Sequence, residues 1–453
     1  MSPVETAIQS VGRAIGSFHP QAMPPLTRGH YRRELAAWFF LPVMMGAIEG
    51  GVVGVIAKNA FTGTVSDGWL NLAVAALSGA PAFANVTSFL WAAWSHGRDK
   101  IRFLVGLQIA AVVLVGHIGF APRSGLGLLM LVVGAIGARM CWSGVVTLRA
   151  TVWRANFPRT DRASMAGKLA TVQAVMLASV GLIIGLAMRR NESSYHLLYP
   201  LVAAFGLAGA IIYGRMRMRG HAALLNVERG HRETAAGWRD ARAWPLWRIM
   251  RDDAGYRWYM ACMFIFGIGN LMVTAPLVIM LRDRFGYGYV AGILITSTIP
   301  IVMMPLVIPL WSRFLDRSHI VSFRVRHSWA FVATTSALAA AAIWNLPALL
   351  WVGAALKGVA IGGGVLAWNL GHHDFAPAER TSQYMGVHVT LTGLRGLIGP
   401  FLGVGLYDLF ERAAPGTGGW VFGVCLTLNL LGAAGFWWLH RHLHDRDALG
   451  VDV

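Results

Sequence analysis

Four ionisable side chains stand inside long apolar runs of this 453-residue chain: Glu49 in "MMGAIEGG", Arg139 in "GAIGARMCWSGVVTL", Lys357 in "ALKGVAIGGG" and Arg395 in "LTGLRGLIGP". Three bases thus face one acid. Unpaired buried charge is strongly disfavoured, and an arginine does not shed its proton, so such a set would be completed by an anionic ligand. The reading without a ligand is a buried ion pair between Glu49 and Arg139 that only joins two helices. Aligning "MMGAIEGG" with "IFGIGNLM" sets Asn270 opposite Glu49 and adds a hydrogen-bonding group. Burial and a neighbouring arginine act on a carboxyl in opposite senses, so the proton occupancy of Glu49 would respond to the charge of a bound substrate. His388 is the second candidate proton carrier, because imidazole titrates closest to neutrality. It shares a helical face with Thr392, Arg395 and Gly399 through i, i+4, i+7, i+11 spacing.

Other groups of chemical interest fit bland roles better. "HHD", His372 to Asp374, has metal-ligating side chains, but neighbours on a helix point in different directions. "KGVAIGGG" lacks the order of a phosphate loop and follows no strand; its glycines suit close helix contacts. Met44, Met45, Met303 and Met304 read as apolar packing. The cysteines Cys141, Cys262 and Cys425 show no redox or metal spacing. No nucleophile paired with a base and no nucleotide fingerprint stands out, so neither an enzyme nor a bound cofactor or metal is expected.

The elements that must position these residues are set by solvent. Hydrophobic residues make up 56% of the chain and charged residues 13%, with a mean hydropathy of +0.54, the profile of an integral membrane protein. About 20 apolar residues cross a bilayer core. Apolar runs and their breakers predict twelve spans, at roughly 35–60, 70–94, 102–120, 126–150, 164–188, 196–214, 257–281, 289–311, 327–345, 348–370, 384–408 and 418–440. At 1.5 Å per residue, Glu49, Arg139, Lys357 and Arg395 each fall roughly 14 to 21 Å from a span end, near mid-bilayer. Charge at that depth costs about 2.5–3.5 kcal/mol and belongs in a bundle interior or a wet cavity.

The net charge of +18 follows topology rather than nucleic acid. Of 39 Lys and Arg, 29 fall on one side of this layout, among them "HGRDKIR", "RANFPRTDR", the segment from Arg215 to Arg257 and "SRFLDR". The other side holds Lys58, Arg123, Arg189, Arg190, Arg282, Arg284 and Arg412. The positive-inside rule then makes the basic side, and both termini, cytoplasmic in a cytoplasmic (inner) membrane. Residues 1–30 are too polar for a secretory signal, and the first span reads as uncleaved. The polar segment 215–256 divides the spans six and six; its basic, tryptophan-containing character suits a helix on anionic lipid as well as a solvated loop.

The halves repeat. Arg139 and Gly144 of "RMCWSG" are spaced like Lys357 and Gly362 of "KGVAIG", and "NFPRTDRASMAG" and "DFAPAERTSQYMG" follow them. Internal repeats are a mark of transporters. With these features the chain resembles the major facilitator superfamily over residues 31 to 440. Span 4 is similar to that family's motif B, an arginine followed by a glycine. "SRFLDRSH" is a partial copy of its loop motif A, retaining Asp316 and Arg317, while the first-half copy has Trp94 where the family has an acid. "RGLIGP" partly resembles the family's glycine-proline motif, though in span 11 rather than span 5.

The resemblance implies an all-α integral membrane fold of twelve transmembrane helices in two pseudo-symmetric six-helix bundles, at 31–214 and 257–440. Residues 1–30, 215–256 and 441–453 would be an N-terminal segment, a linker and a tail. It implies that spans 1, 4, 7 and 10 line a central cavity where Glu49, Arg139, Asn270 and Lys357 meet, and that Arg313, Asp316 and Arg317 serve in gating. The expected function is a monomeric secondary transporter of a small organic anion or zwitterion. Arg139, Lys357, Asn270 and Arg395 would bind the substrate, and Glu49 or His388 would exchange protons. Its partners would be that substrate, protons and membrane lipids. An exporter of drugs or lipid-like amphiphiles, and a non-transporting membrane scaffold, are the alternatives.

Overall fold

The computed structural model describes residues 16–230, 244–377 and 380–448. The first fifteen residues of the N-terminal segment, linker residues 231–243 with Trp238, and the last five residues of the tail lie outside the described residues. Everything described is helix, turn or loop, apart from one isolated bridge between Thr62 and Val65. A helix satisfies its backbone polar groups internally, the condition for crossing hydrocarbon.

Among the described residues, ten helices are long and apolar enough to cross a membrane: Pro25–Ala60, Lys100–Phe120, Gly125–Asn156, Ser164–Arg190, Glu192–Gly214, Ala254–Asp283, Tyr289–Leu315, Ala348–Leu370, Gln383–Ala413 and Gly418–Leu443. These are spans 1, 3 to 8 and 10 to 12. Span 2 is the bent pair Asp67–Ala82 and Ala84–Ser95, which turns by 50° beyond Pro81. The twelfth helix, Ile320–Ile343, has 24 residues and carries Arg324, Arg326 and His327 in its first turns, which lowers its apolarity. It occupies the place of span 9, packed on spans 10 and 12.

Span 1 begins at Pro25, ten residues before the expected start at 35. Its first turns hold Tyr31 and Glu34, both fully buried, so polarity in the sequence masks a segment whose charge is neutralised inside the protein. Spans 4 and 11 also run past their expected ends, to Asn156 and Ala413.

Within the first half, span 1 packs on spans 5 and 6, and span 3 on spans 4 and 6. Within the second, spans 7 and 9 pack on span 12, and span 8 on span 10. Glycines make the closest approaches, as the repeat motif suggested: a Cβ at Gly358 would meet Pro300 and Met303 of span 8. The three cysteines are buried and unbridged. Asp374 of "HHD" caps span 9 by accepting the Ile320 N–H at 2.6 Å.

The halves meet along seams where span 2 packs on span 11, where the end of span 7 packs on the end of span 1 and on span 2, and where span 8 packs on span 5 and on the end of span 1. At the first, Gly79 faces the Gly396 carbonyl and the ring of Pro400. These seams run from mid-membrane to the side opposite the basic loops.

Candidate substrate cavity

The chemistry gathers where two spans break. Span 1 consists of Pro25–Ala47 and Gly50–Ala60, interrupted at Ile48 and Glu49. Glu49 is extended, with φ −61° and ψ 135°. A break leaves helix carbonyls without partners, and Arg139 of span 4 takes them. Its Nε and Nη2 donate to the Ile48 carbonyl at 3.2 and 3.0 Å, and Nη2 donates to the Met45 carbonyl at 3.4 Å. Tyr199 Oη donates to the Ala47 carbonyl at 3.2 Å. Nη2 of Arg139 also donates to Glu49 Oε2 at 2.5 Å. The arginine is therefore a cap for a broken helix and an ion-pair partner at once, with Nη1 the one nitrogen lacking a protein acceptor among the described residues.

Span 7 breaks likewise, into Ala254–Leu271 and Thr274–Asp283. Lys357 of span 10 donates to Thr274 Oγ1 at 3.1 Å, at the start of the second piece, and lies within electrostatic reach of Glu49. The repeat of a basic residue set against a broken helix is thus structural. Counted from the breaks, the position equivalent to Glu49 is Val273. Asn270 lies a turn earlier, in the first piece, with Oδ1 buried and without a partner among the described residues.

Two cavities flank this centre and share Trp368. One, of about 190 Å³, is lined by Asn85, Ser88, Arg139, Ser143, Thr147 and Trp368, from spans 2, 4 and 10. The other, of about 280 Å³, lies in the second half against Phe266, Asn270, Arg324, Phe331, Trp368 and Arg395. Spans 2, 9 and 11 therefore join spans 4, 7 and 10 as cavity walls. Arg395 donates to the Met263 carbonyl and, at 2.6 Å, to Thr392 Oγ1. His388 is buried behind Trp368, ring centroids 5.6 Å apart, with Nε2 lacking a partner among the described residues. Of the expected substrate and proton residues, Glu49, Arg139 and Lys357 come together at the break, while Asn270, Arg395 and His388 gather at the second cavity.

Away from the basic side the cavity is closed. Lys58 of span 1 is buried, 2.7 Å from Asp283 of span 7 and 3.0 Å from Asn71 Oδ1, and Asn71 Nδ2 donates to Asp408 of span 11 at 2.8 Å. Beyond this seam lies a vestibule of about 570 Å³ lined by Asp67, Asp283, Asp408, Glu411, Arg284 and Arg412. The sequence counts Lys58 only among the cations of the side opposite the basic loops; the one signal of its pairing is an acid, Asp283, at the matching end of span 7.

A family model for the Major Facilitator Superfamily matches residues 35–400. The chain belongs to the major facilitator superfamily. Its solved structural neighbours include a D-xylose–proton symporter (TM-score 0.66, 12% identity, covering 90% of this chain and 96% of that one). A nucleoside transporter, NupG, matches with TM-score 0.64 and 13% identity over 90% and 99% of the two chains. A bacterial homologue of the human lysosomal transporter Spinster, in an inward-facing and unoccupied conformation, matches with TM-score 0.64 and 13% identity over 91% and 97%. At these identities the likeness shows the fold alone. A comparison with curated proteins finds no match by sequence.

One departure of this facilitator chain from the family pattern has a structural answer. Trp94 stands where motif A has an acid, and a carboxylate arrives from the linker: Glu228 Oε2 accepts from Lys100 Nζ at 2.6 Å and from the Gly97 N–H at 2.7 Å. At the second copy, Arg313, Asp316 and Arg317 are exposed and form no ion pair among the described residues.

Proposed function

We propose that this facilitator is a proton-coupled secondary transporter of a small organic anion or zwitterion, working by alternating access in the cytoplasmic membrane with its basic side cytoplasmic. The observation that carries the reading is the charge balance at the break: Arg139 and Lys357 share a single acid, Glu49, which Arg139 holds at 2.5 Å, while Arg324 and Arg395 add positive charge to the wall of the neighbouring cavity. A substrate carboxylate reaching Nη1 of Arg139 or Lys357 competes with Glu49 for them. Glu49, losing its counter-ions, takes a proton. Substrate binding and proton binding are coupled through one ion pair, and the closed seam at Lys58 and Asp283 corresponds to a cavity facing the basic side.

Proteoliposomes test this. With Glu49→Gln, substrate exchange is expected to persist while uphill accumulation driven by a pH gradient is lost. Undiminished accumulation in that variant would remove Glu49 from coupling, and unchanged flux in Arg139→Ala would shift the reading toward an amphiphile exporter.

A further inference from the structure

Arg324 of span 9 and Arg395 of span 11 are 3% and 4% exposed, and neither has a carboxylate partner among the described residues. Arg324 Nη1 lies 3.3 Å from His327 Nδ1, and Arg395 is held by the Met263 carbonyl and Thr392. Among the described residues, Nε of each arginine is buried with no acceptor, and Asn270 Oδ1 and His388 Nε2 beside them have no partner either. The guanidiniums are near enough to repel each other. Two buried like charges with free donors make a costly arrangement unless something anionic joins them.

The cavity they enter has the matching shape. Its remaining walls are mostly apolar, with Met263, Phe266, Phe331 and Trp368 surrounding the two arginines, and no carboxylate lines it. About 280 Å³ stands at the lower edge of the ~300–1,000 Å³ typical of small-molecule sites, room for one ring and one acid group. Gly267 provides the approach: a Cβ there would occupy the space of the Arg395 guanidinium.

We propose that this cavity of the second half binds an aromatic carboxylate, its carboxylate between Arg324 and Arg395 and its ring against Trp368, Phe266 and Phe331. Carboxylates match the guanidinium fork, and the aromatic walls bury a ring that a bare inorganic anion lacks. The site is distinct from the Glu49–Arg139 pair. It rests on the anion-transport reading for the ligand's passage across the membrane, and not for its binding.

The test is thermal melting of the purified full chain with phenylacetate, phenylacetamide and acetate as probes. Phenylacetate should raise the melting temperature in a concentration-dependent way, whereas the neutral amide and the ringless acid should not. Arg324→Gln and Arg395→Gln should each abolish the shift, and Arg102→Gln, an exposed cation outside both cavities, should retain it. Val365→Trp narrows the cavity with both arginines in place, and should weaken binding at least tenfold even if the arginine variants fold poorly. Equal shifts from phenylacetate and phenylacetamide, no shift with phenylacetate, or a shift that survives Val365→Trp would overturn the site. Binding as expected with no phenylacetate flux in proteoliposomes would instead count against the transport reading alone.

Discussion

Nζ of Lys58 lies 2.7 Å from Oδ2 of Asp283, joining span 1 of one half to span 7 of the other. The lysine is 1% exposed and the aspartate 43%, so the pair is one-sidedly desolvated. An exposed pair is worth about 0.2–1 kcal/mol, but stranding a buried ammonium costs about 3–5 kcal/mol. That asymmetry makes the pair a latch: it favours the closed seam strongly only while Asp283 is present, and the alternating access proposed above requires it to open.

Removing the latch should therefore move the conformational equilibrium rather than unfold the protein. In Asp283→Asn, spin labels at Ser66 and Ala414, on opposite halves beside the seam, should report a longer distance population than in the parent. An unchanged distribution would show that the seam is held by apolar packing alone.

A second buried charge has a purely internal role. Glu34, fully buried, accepts from Arg149 at 3.3 Å, Trp153 Nε1 at 2.9 Å and Tyr213 Oη at 3.0 Å, and the Arg149 guanidinium lies 3.2 Å from the Trp38 ring centroid. Glu34→Ala would leave Arg149 buried and uncompensated, a loss of about 3–5 kcal/mol, and should lower the melting temperature by several degrees. A variant melting within one degree of the parent would mean the network contributes no net stability.

The linker contact depends on pH. Burial acts to raise the proton affinity of Glu228, but hydrogen bonds from Lys100 and the Gly97 N–H outweigh it and hold this carboxyl below the usual glutamate range. A depressed native value means that the contact stabilises docking fully above the unfolded value of about 4.3 and loses that contribution as pH falls through the native value. Hydrogen exchange across 221–230 should be protected at neutral pH and should accelerate only in that acid range. Glu228→Gln should exchange faster at neutral pH as well; if it matches the parent there, the carboxylate does not hold the linker.

Gly267 offers a minimal perturbation of the second cavity. Gly267→Ala places a methyl where the Arg395 guanidinium lies, so phenylacetate affinity should fall at least tenfold by calorimetry while the circular dichroism spectrum stays helical. Unaltered affinity would mean that Arg395 reaches the ligand from another position.

The sequence by itself determined the solvent and most of the membrane-spanning helices, because apolar runs of bilayer length are local properties that tertiary contacts do not erase. It also singled out Arg139, Lys357 and Glu49, since charge is rare within apolar runs. The start of span 1 escaped because Glu34 reads as polar until Arg149, 115 residues away, is known to neutralise it. Glu228 escaped for the same reason: the carboxylate missing at Trp94 is supplied from 128 residues beyond Lys100.

Only the tertiary structure decided what each charge faces. Arg139 lies against the broken end of span 1 as well as against an acid, Lys58 at the end of span 1 is buried in the seam between halves, and Arg324 is turned from a basic helix start into a buried cavity wall. Helix formation follows from nearest neighbours along the chain, whereas the partner of a buried charge is set by packing between segments far apart in sequence, where losing that partner costs several kcal/mol.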